Sequence, residues 1–183
     1  MRKHIILVLL LCQYWLASAQ HVGNKKYAKY FNARFAYNIK YPSRLLTPQP
    51  EAYNGDGRKF TDKNYKNILV VYGCRSVNIE TDLALPFKQV YNDELKGGRF
   101  NTYPNRKVLY SKYTPYYFVI TGTDGGNIFY QKTILLTGEN SDCIAYAILT
   151  YPAEEKQLYD DVSKQVFLSF KEVAVTREYE YIK

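Results

Sequence analysis

The chain has 183 residues, of which 46% are hydrophobic, 16% aromatic and 23% charged, and its formal net charge is +8. That length gives one domain with a sizeable core, and the composition excludes a disordered or fibrous protein. Twenty tyrosines stand against one Trp and one Met, so the aromatic content is unusually phenolic.

Arg2, Lys3 and His4 precede an unbroken apolar run over residues 5–11, and Ala17-Ser18-Ala19 supplies the small residues of a cleavage site. The run is too short to cross a bilayer, which takes roughly 20 apolar residues. It reads as a secretory signal cut before Gln20, which places the mature chain in the periplasm or outside the cell. A lipoprotein needs a small residue before its cysteine, and Leu11 precedes Cys12. The chain from Gln20 keeps 164 residues, and loss of Arg2 and Lys3 lowers the net charge from +8 to +6.

After position 19 the only histidine is His21, and the only cysteines are Cys74 and Cys143. A Ser-His-Asp or Cys-His pair inside the fold is therefore excluded, as are zinc, haem and iron–sulfur sites built from His and Cys. No Walker loop and no G-x-G-x-x-G is present, and no cofactor is expected. Enzymatic chemistry is left to carboxylates, Lys or Tyr.

Residues 20–30 are polar and basic and read as a flexible lead-in. Phe35, Tyr37, Ile39 and Tyr41 alternate with Ala36, Asn38 and Lys40 before Pro42, the period of a half-buried strand. Thr47-Pro48-Gln49-Pro50 reads as a stiff connector, and Asn54-Gly55-Asp56-Gly57 as a turn. Strands are expected at 58–61 and 68–72, and a helix over 79–96 whose well-formed part begins near Pro86. Phe87, Val90, Tyr91 and Leu95 share a face of that helix, and Gly97-Gly98 ends it. Strands follow at 107–111, 116–121, 127–136 and 143–151. The second helix spans 153–170, with Leu158, Tyr159, Val162, Val166 and Phe170 as its apolar stripe. The tail, 172–183, alternates weakly and reads as a loose terminus or as an unpaired strand open to a partner. Hairpin-linked strands with two helices predict an α+β fold, an antiparallel β-sheet of about six to seven strands covered by two helices.

Phe35-Ala36-Tyr37-Asn38-Ile39-Lys40-Tyr41-Pro42 resembles the opening F-x-Y-x-I-x-Y-P strand of PsbP-like proteins, which include bacterial periplasmic members of the DcrB type. Ile128-Phe129-Tyr130-Gln131-Lys132 is similar to a later strand of that family. Tyr151-Pro152, Glu155-Lys156 and Ser169-Phe170-Lys171 resemble its last strand and helix. The resemblance covers residues 31–171 and implies an α/β/α sandwich. It also implies a non-enzymatic, protein-binding role, with immunity against a secreted toxin among the uses of small secreted members. The family's metal-linked roles are not implied here, because this chain has no histidine to serve as the ligand. No functional residue carries over.

Cys74 and Cys143 either form a structural disulfide, closing a loop of about 70 residues, or are two unrelated thiols. Asn54-Gly55-Asp56-Gly57 with Asp62 lacks the ligand run and closing Glu of a calcium loop and reads as a turn. Gly122-Thr123-Asp124-Gly125-Gly126 reads as a hairpin rather than a phosphate nest, since no helix follows it. Asp124, Glu139 and Asp142 are the carboxylates from which a hydrolase pair could be drawn. Tyr110, Tyr113, Tyr116 and Tyr117 crowd around Pro115, with Tyr103 upstream. Such a cluster serves either a partner surface or sheet packing. Export argues against nucleic acid, so the positive charge points to an acidic protein partner such as a toxin or effector, or to an anionic surface. A small-ligand or lipid carrier is the alternative function, and a carboxylate-based hydrolase a third.

Overall fold

The computed structural model describes residues 26–78, 81, 83–98, 102–138 and 142–173. The signal segment lies outside the described residues, as does the tail from 174 onward. The described residues form ten strands and two α-helices in the order β1 (Tyr27–Asn32), β2 (Tyr37–Pro42), β3 (Thr47–Glu51), β4 (Gly57–Thr61), β5 (Ile68–Arg75), α1 (Phe87–Leu95), β6 (Arg106–Tyr113), β7 (Tyr117–Asp124), β8 (Asn127–Leu135), β9 (Cys143–Pro152), α2 (Lys156–Ser169) and β10 (Lys171–Glu172). A 3-10 turn, Ala153–Glu155, leads into α2. No described helix is long and apolar enough to cross a membrane.

Seven strands make one antiparallel sheet in the order β3-β4-β5-β9-β8-β7-β6, and β1-β2-β10 make a second. The large sheet has a layer on each face, so the α+β architecture expected from the sequence is the one observed. On one face, α2 and the small sheet cover Leu69, Val71, Ala145, Ala147, Leu149 and Tyr151. On the other, α1 covers Phe118, Ile120, Phe129, Ile144 and Tyr146. Tyrosines fill much of the first core. Tyr37 and Tyr151 are wholly buried, and Tyr151 stacks on Tyr159 at 4.8 Å. Aromatic pairs of this kind add to simple area burial.

Three elements depart from the sequence reading. The lead-in expected over 20–30 is already strand from Tyr27, because Tyr30 is an inward-facing residue, 7% exposed, on a segment that pairs along its whole length with β2. The expected connector at Thr47-Pro48-Gln49-Pro50 is edge strand β3. Both prolines lack an N–H, but one side of an edge strand needs no donors. The first helix starts at Phe87, directly after Pro86, where its well-formed part was expected. Ahead of it the Asn78 N–H donates to Leu83 O and the Leu85 N–H to Ser76 O, which commits those backbone groups to a bridge. The tail begins as a short strand, with Lys171 and Glu172 paired to Asn38 and Tyr37 of β2.

Cys74 and Cys143 do not form a disulfide, and the register gives the reason. Cys74 sits opposite Ile144 and Cys143 opposite Arg75. Directly opposed residues share a face while consecutive residues alternate, so the two thiols project from opposite faces of the sheet. Cys143 packs into the core under α2, where burial and the neighbouring Asp142 push its thiol up to about 11. Peptide mapping of the protein under non-reducing conditions is expected to find no Cys74–Cys143 crosslinked peptide, and such a peptide would require a different strand register.

Candidate functional site: the β6 edge and the groove beside α2

The large sheet ends in two unlike edges. Strand β3 carries Pro48 and Pro50, whereas β6 is eight residues long, contains no proline and among the named strands pairs only with β7. Strand β6 also carries a bulge. Val108 opposes Gly122 and Tyr110 opposes Thr121, leaving Leu109 as the extra residue. The bulge switches the facing of every later residue. Arg106 and Val108 face α1, but Tyr110 and Lys112 face the α2 side, while Ser111 and Tyr113 return to α1. Gly122 permits this, since a Cβ there would lie 1.9 Å from the Lys107 carbonyl oxygen.

The outcome is an aromatic and basic rim. Leu109 is 75%, Tyr110 55% and Tyr116 68% exposed, and Lys107 and Lys112 are exposed beside them. Tyr116 stands at the tip of the β6–β7 turn, which Thr114 closes by accepting the Tyr117 N–H on its Oγ1 at 3.0 Å. Next to this rim lies a groove of about 450 Å³ between the sheet and α2, lined by Lys112, Tyr117, Val119, Tyr130, Phe167 and Leu168 among others. Lys132 crosses its floor, donating to the Phe167 and Phe170 carbonyls at 2.9 and 2.8 Å. A cation at the last turn satisfies orphan carbonyls and suits the helix dipole, so Lys132 ties α2 to the sheet. Burial lowers its pKa below that of an ordinary lysine.

The five tyrosines singled out in the sequence are thus divided. Tyr110 and Tyr116 form the rim, and Tyr117 lines the groove. Tyr113 instead packs against Phe87 and Tyr91 on α1, with Lys88 Nζ 4.2 Å above its ring. Tyr103 lies on the same side, its ring stacked 3.4 Å from the Arg106 guanidinium.

The carboxylates are not brought together. Asp124 and Asp142 lie at opposite ends of β8 and β9, about 33 Å apart along the strands. Each is beside an arginine: Asp124 Oδ2 is 3.6 Å from Arg106 Nε, and Asp142 Oδ2 is 3.0 Å from Arg75 Nε. A hydrolase pair needs a fixed separation of about 5–10 Å, which these two do not have. Glu139 lies outside the described residues. Asn54-Gly55-Asp56-Gly57 is the β3–β4 turn, with Asn54 Nδ2 donating to Asp56 Oδ2 at 2.7 Å. Asp62 accepts the Lys66 and Asn67 N–H groups in the next turn. Gly125 and Gly126, both at positive φ, close the β7–β8 hairpin. Among the described residues, no group of three or more His, Cys, Asp or Glu could hold a metal ion.

No protein-family model matches this sequence, and no curated protein matches it. Solved structures do. The solution structure of cyanobacterial PsbP (CyanoP) from Synechocystis sp. PCC 6803 superposes with a TM-score of 0.54 at 14% identity, covering 83% of this chain and 95% of that one. The fold is PsbP/Mog1-like. A mutant of the protein Mog1 superposes with a TM-score of 0.53 at 9% identity, covering 82% of this chain and 98% of that one. These likenesses concern the fold, and they do not single out the bacterial periplasmic members.

Sequence reasoning missed a buried polar network on the α1 face. Glu94 is 6% exposed and accepts from Gln131 Nε2 at 3.1 Å, while Arg106 Nη1 donates to Gln131 Oε1 at 2.8 Å. The Arg106 side chain is 2% exposed and lies between Tyr103 and Phe129. The signal was available, since Glu94 continues the Phe87, Val90, Tyr91 stripe at helical spacing and is the one charge on it.

Proposed function

We propose that this chain is an exported, non-enzymatic module that binds an acidic protein partner along the β6 edge, and that the partner is a secreted toxin or effector that it neutralises. The observation that carries this reading is the edge of β6, which among the described residues pairs only with β7 and where Leu109, Tyr110 and Tyr116 stand exposed among lysines. An unpaired strand offers main-chain hydrogen bonds to an incoming strand, and tyrosines beside it supply apolar area at low entropic cost. Lys107 and Lys112 on the edge, with Lys164 on the adjacent helix, favour acidic side chains on that strand. The prolines of β3 direct such pairing to β6.

The test is isolation of the tagged mature protein, residues 20–183, from its native host under native conditions, with mass spectrometry of what accompanies it. One stoichiometric acidic protein is expected, and its toxicity in the absence of this chain would establish neutralisation. Tyr110→Ala with Tyr116→Ala is expected to weaken that complex by about 10- to 100-fold, the loss of one or two interface anchors. A complex indifferent to both substitutions and to Lys112→Glu would overturn the site. A chain isolated alone, or with a small molecule, would overturn the binding-module reading in favour of a carrier.

A further inference from the structure

The other side of the sheet holds a second, more enclosed space. A cavity of about 180 Å³ opens between α1, the residues following β5 and the sheet, with Tyr72, Tyr103 and Tyr146 among its walls. That is room for about six waters, or for a ligand of a few non-hydrogen atoms. Glu94 and Asp93 line it from α1. Ser76 lines it too, 5% exposed, and its Oγ has no hydrogen-bond partner. The Ser76 backbone is already used, its N–H on Asp142 O and its carbonyl on the Leu85 N–H. A buried hydroxyl left unbonded is costly and points to a partner that the protein itself does not supply.

The charges around the cavity are unbalanced, in a chain that is otherwise basic. Arg75 pairs with Asp142 at the rim, and Arg106 sits behind the wall between Asp124 and Glu94. Among the described residues, two guanidiniums thus stand beside four carboxylates, of which Asp93 and Glu94 line the cavity, and Asp93 makes no ion pair. We infer that this cavity binds a small primary alkylammonium ion, its N–H donors directed to Glu94, Asp93 and Ser76 Oγ and its short alkyl body against the tyrosine walls. An ammonium group has three donors and no acceptor, which matches three acceptors around an aromatic pocket. A carboxylate or phosphate ligand would meet surplus negative charge, and a neutral alcohol would leave that charge uncompensated. Burial raises the Glu94 pKa against the pull of Gln131 and Arg106, so a bound cation would also relieve a carboxyl that is poorly solvated when ionised.

The experiment compares n-butylammonium, 1-butanol and butyrate, which share a size and differ in charge. Each is titrated into the mature protein at low ionic strength and followed by calorimetry and amide NMR shifts. Butylammonium is expected to saturate in the low-millimolar range or below, to shift Ser76, Glu94 and Tyr146, and to bind at least 10-fold more tightly than butanol. Butyrate is expected not to bind there. Asp93→Asn and Glu94→Gln should each weaken butylammonium at least 5-fold, and Ser76→Ala by a smaller factor. Should Glu94→Gln fail to fold, Asp93→Asn and Ser76→Ala carry the test alone. Equal affinity for butanol and butylammonium would overturn the assignment. So would shifts that map elsewhere, or no saturation by 100 mM.

Discussion

Replacing Arg106 by Met is expected to lower stability by about 3–5 kcal/mol at pH 7, the cost of breaking a buried charged pair by removing one partner. The guanidinium is held by the Gln131 carbonyl, lies near both Glu94 and Asp124, and is sandwiched against Tyr103 and Phe129. Without it Glu94 keeps a buried carboxylate whose nearest cation is gone. Glu94 already holds its proton more tightly than an ordinary glutamate, whose value is 4.5, because burial outweighs its partners. The folded state therefore binds that proton where the unfolded chain releases it, so the Glu94 contribution is full below 4.5 and is lost as pH rises through its folded value. Arg106→Met raises the folded value further, and the gap between variant and wild type should widen from pH 4.5 to pH 7. Urea denaturation at both pH values checks this. The double variant Arg106→Met, Glu94→Leu should recover part of the loss at pH 7, and failure to recover any would show that the network acts through packing alone.

Gly122→Ala is expected to cost about 3 kcal/mol, at the upper end for an overpacked site. The added methyl group would meet the Lys107 carbonyl oxygen at 1.9 Å and the Val108 Cα at 3.0 Å, both backbone atoms that cannot turn aside. Relief requires β6 to separate from β7, so the rim formed by Leu109, Tyr110 and Tyr116 should be lost with it. Gly125→Ala is the control, with open space around its Cβ and only the strain of a φ of 55° to bear, about 1–2 kcal/mol. Thermal melts should rank the two in that order. Hydrogen exchange should show the amides of β6 exposed in Gly122→Ala and protected in Gly125→Ala.

The strand that opens at Phe35 was legible from its alternation, and those at 68–72, 116–121 and 143–151 as apolar runs bounded by turn residues. The sandwich was legible with them. Three things were not. Glu94 belongs to the apolar stripe of α1, but its partner Gln131 lies 37 residues away, and a local pattern does not reveal which buried charge will be satisfied. The Leu109 bulge breaks the very period on which a strand reading rests, so Val108 and Tyr110, two apart, face opposite sides. For Cys74 and Cys143 the deciding quantity is register, since one residue of offset places the thiols on opposite faces. The tyrosine cluster was visible as a composition, but only tertiary structure separates Tyr110 and Tyr116 on the rim from Tyr113 under Lys88.

The unequal edges of the large sheet also govern how copies of this protein can associate. A head-to-tail stack would lay β6 of one molecule on β3 of the next and repeat without end, but Pro48 and Pro50 deny that step two amide donors. Between edges of the large sheet, the remaining pairing is β6 against β6, about a two-fold axis. It consumes both open edges at once, so the symmetry closes and assembly stops at a dimer. Two imino acids on one rim of the large sheet thus oppose end-to-end stacking through the other.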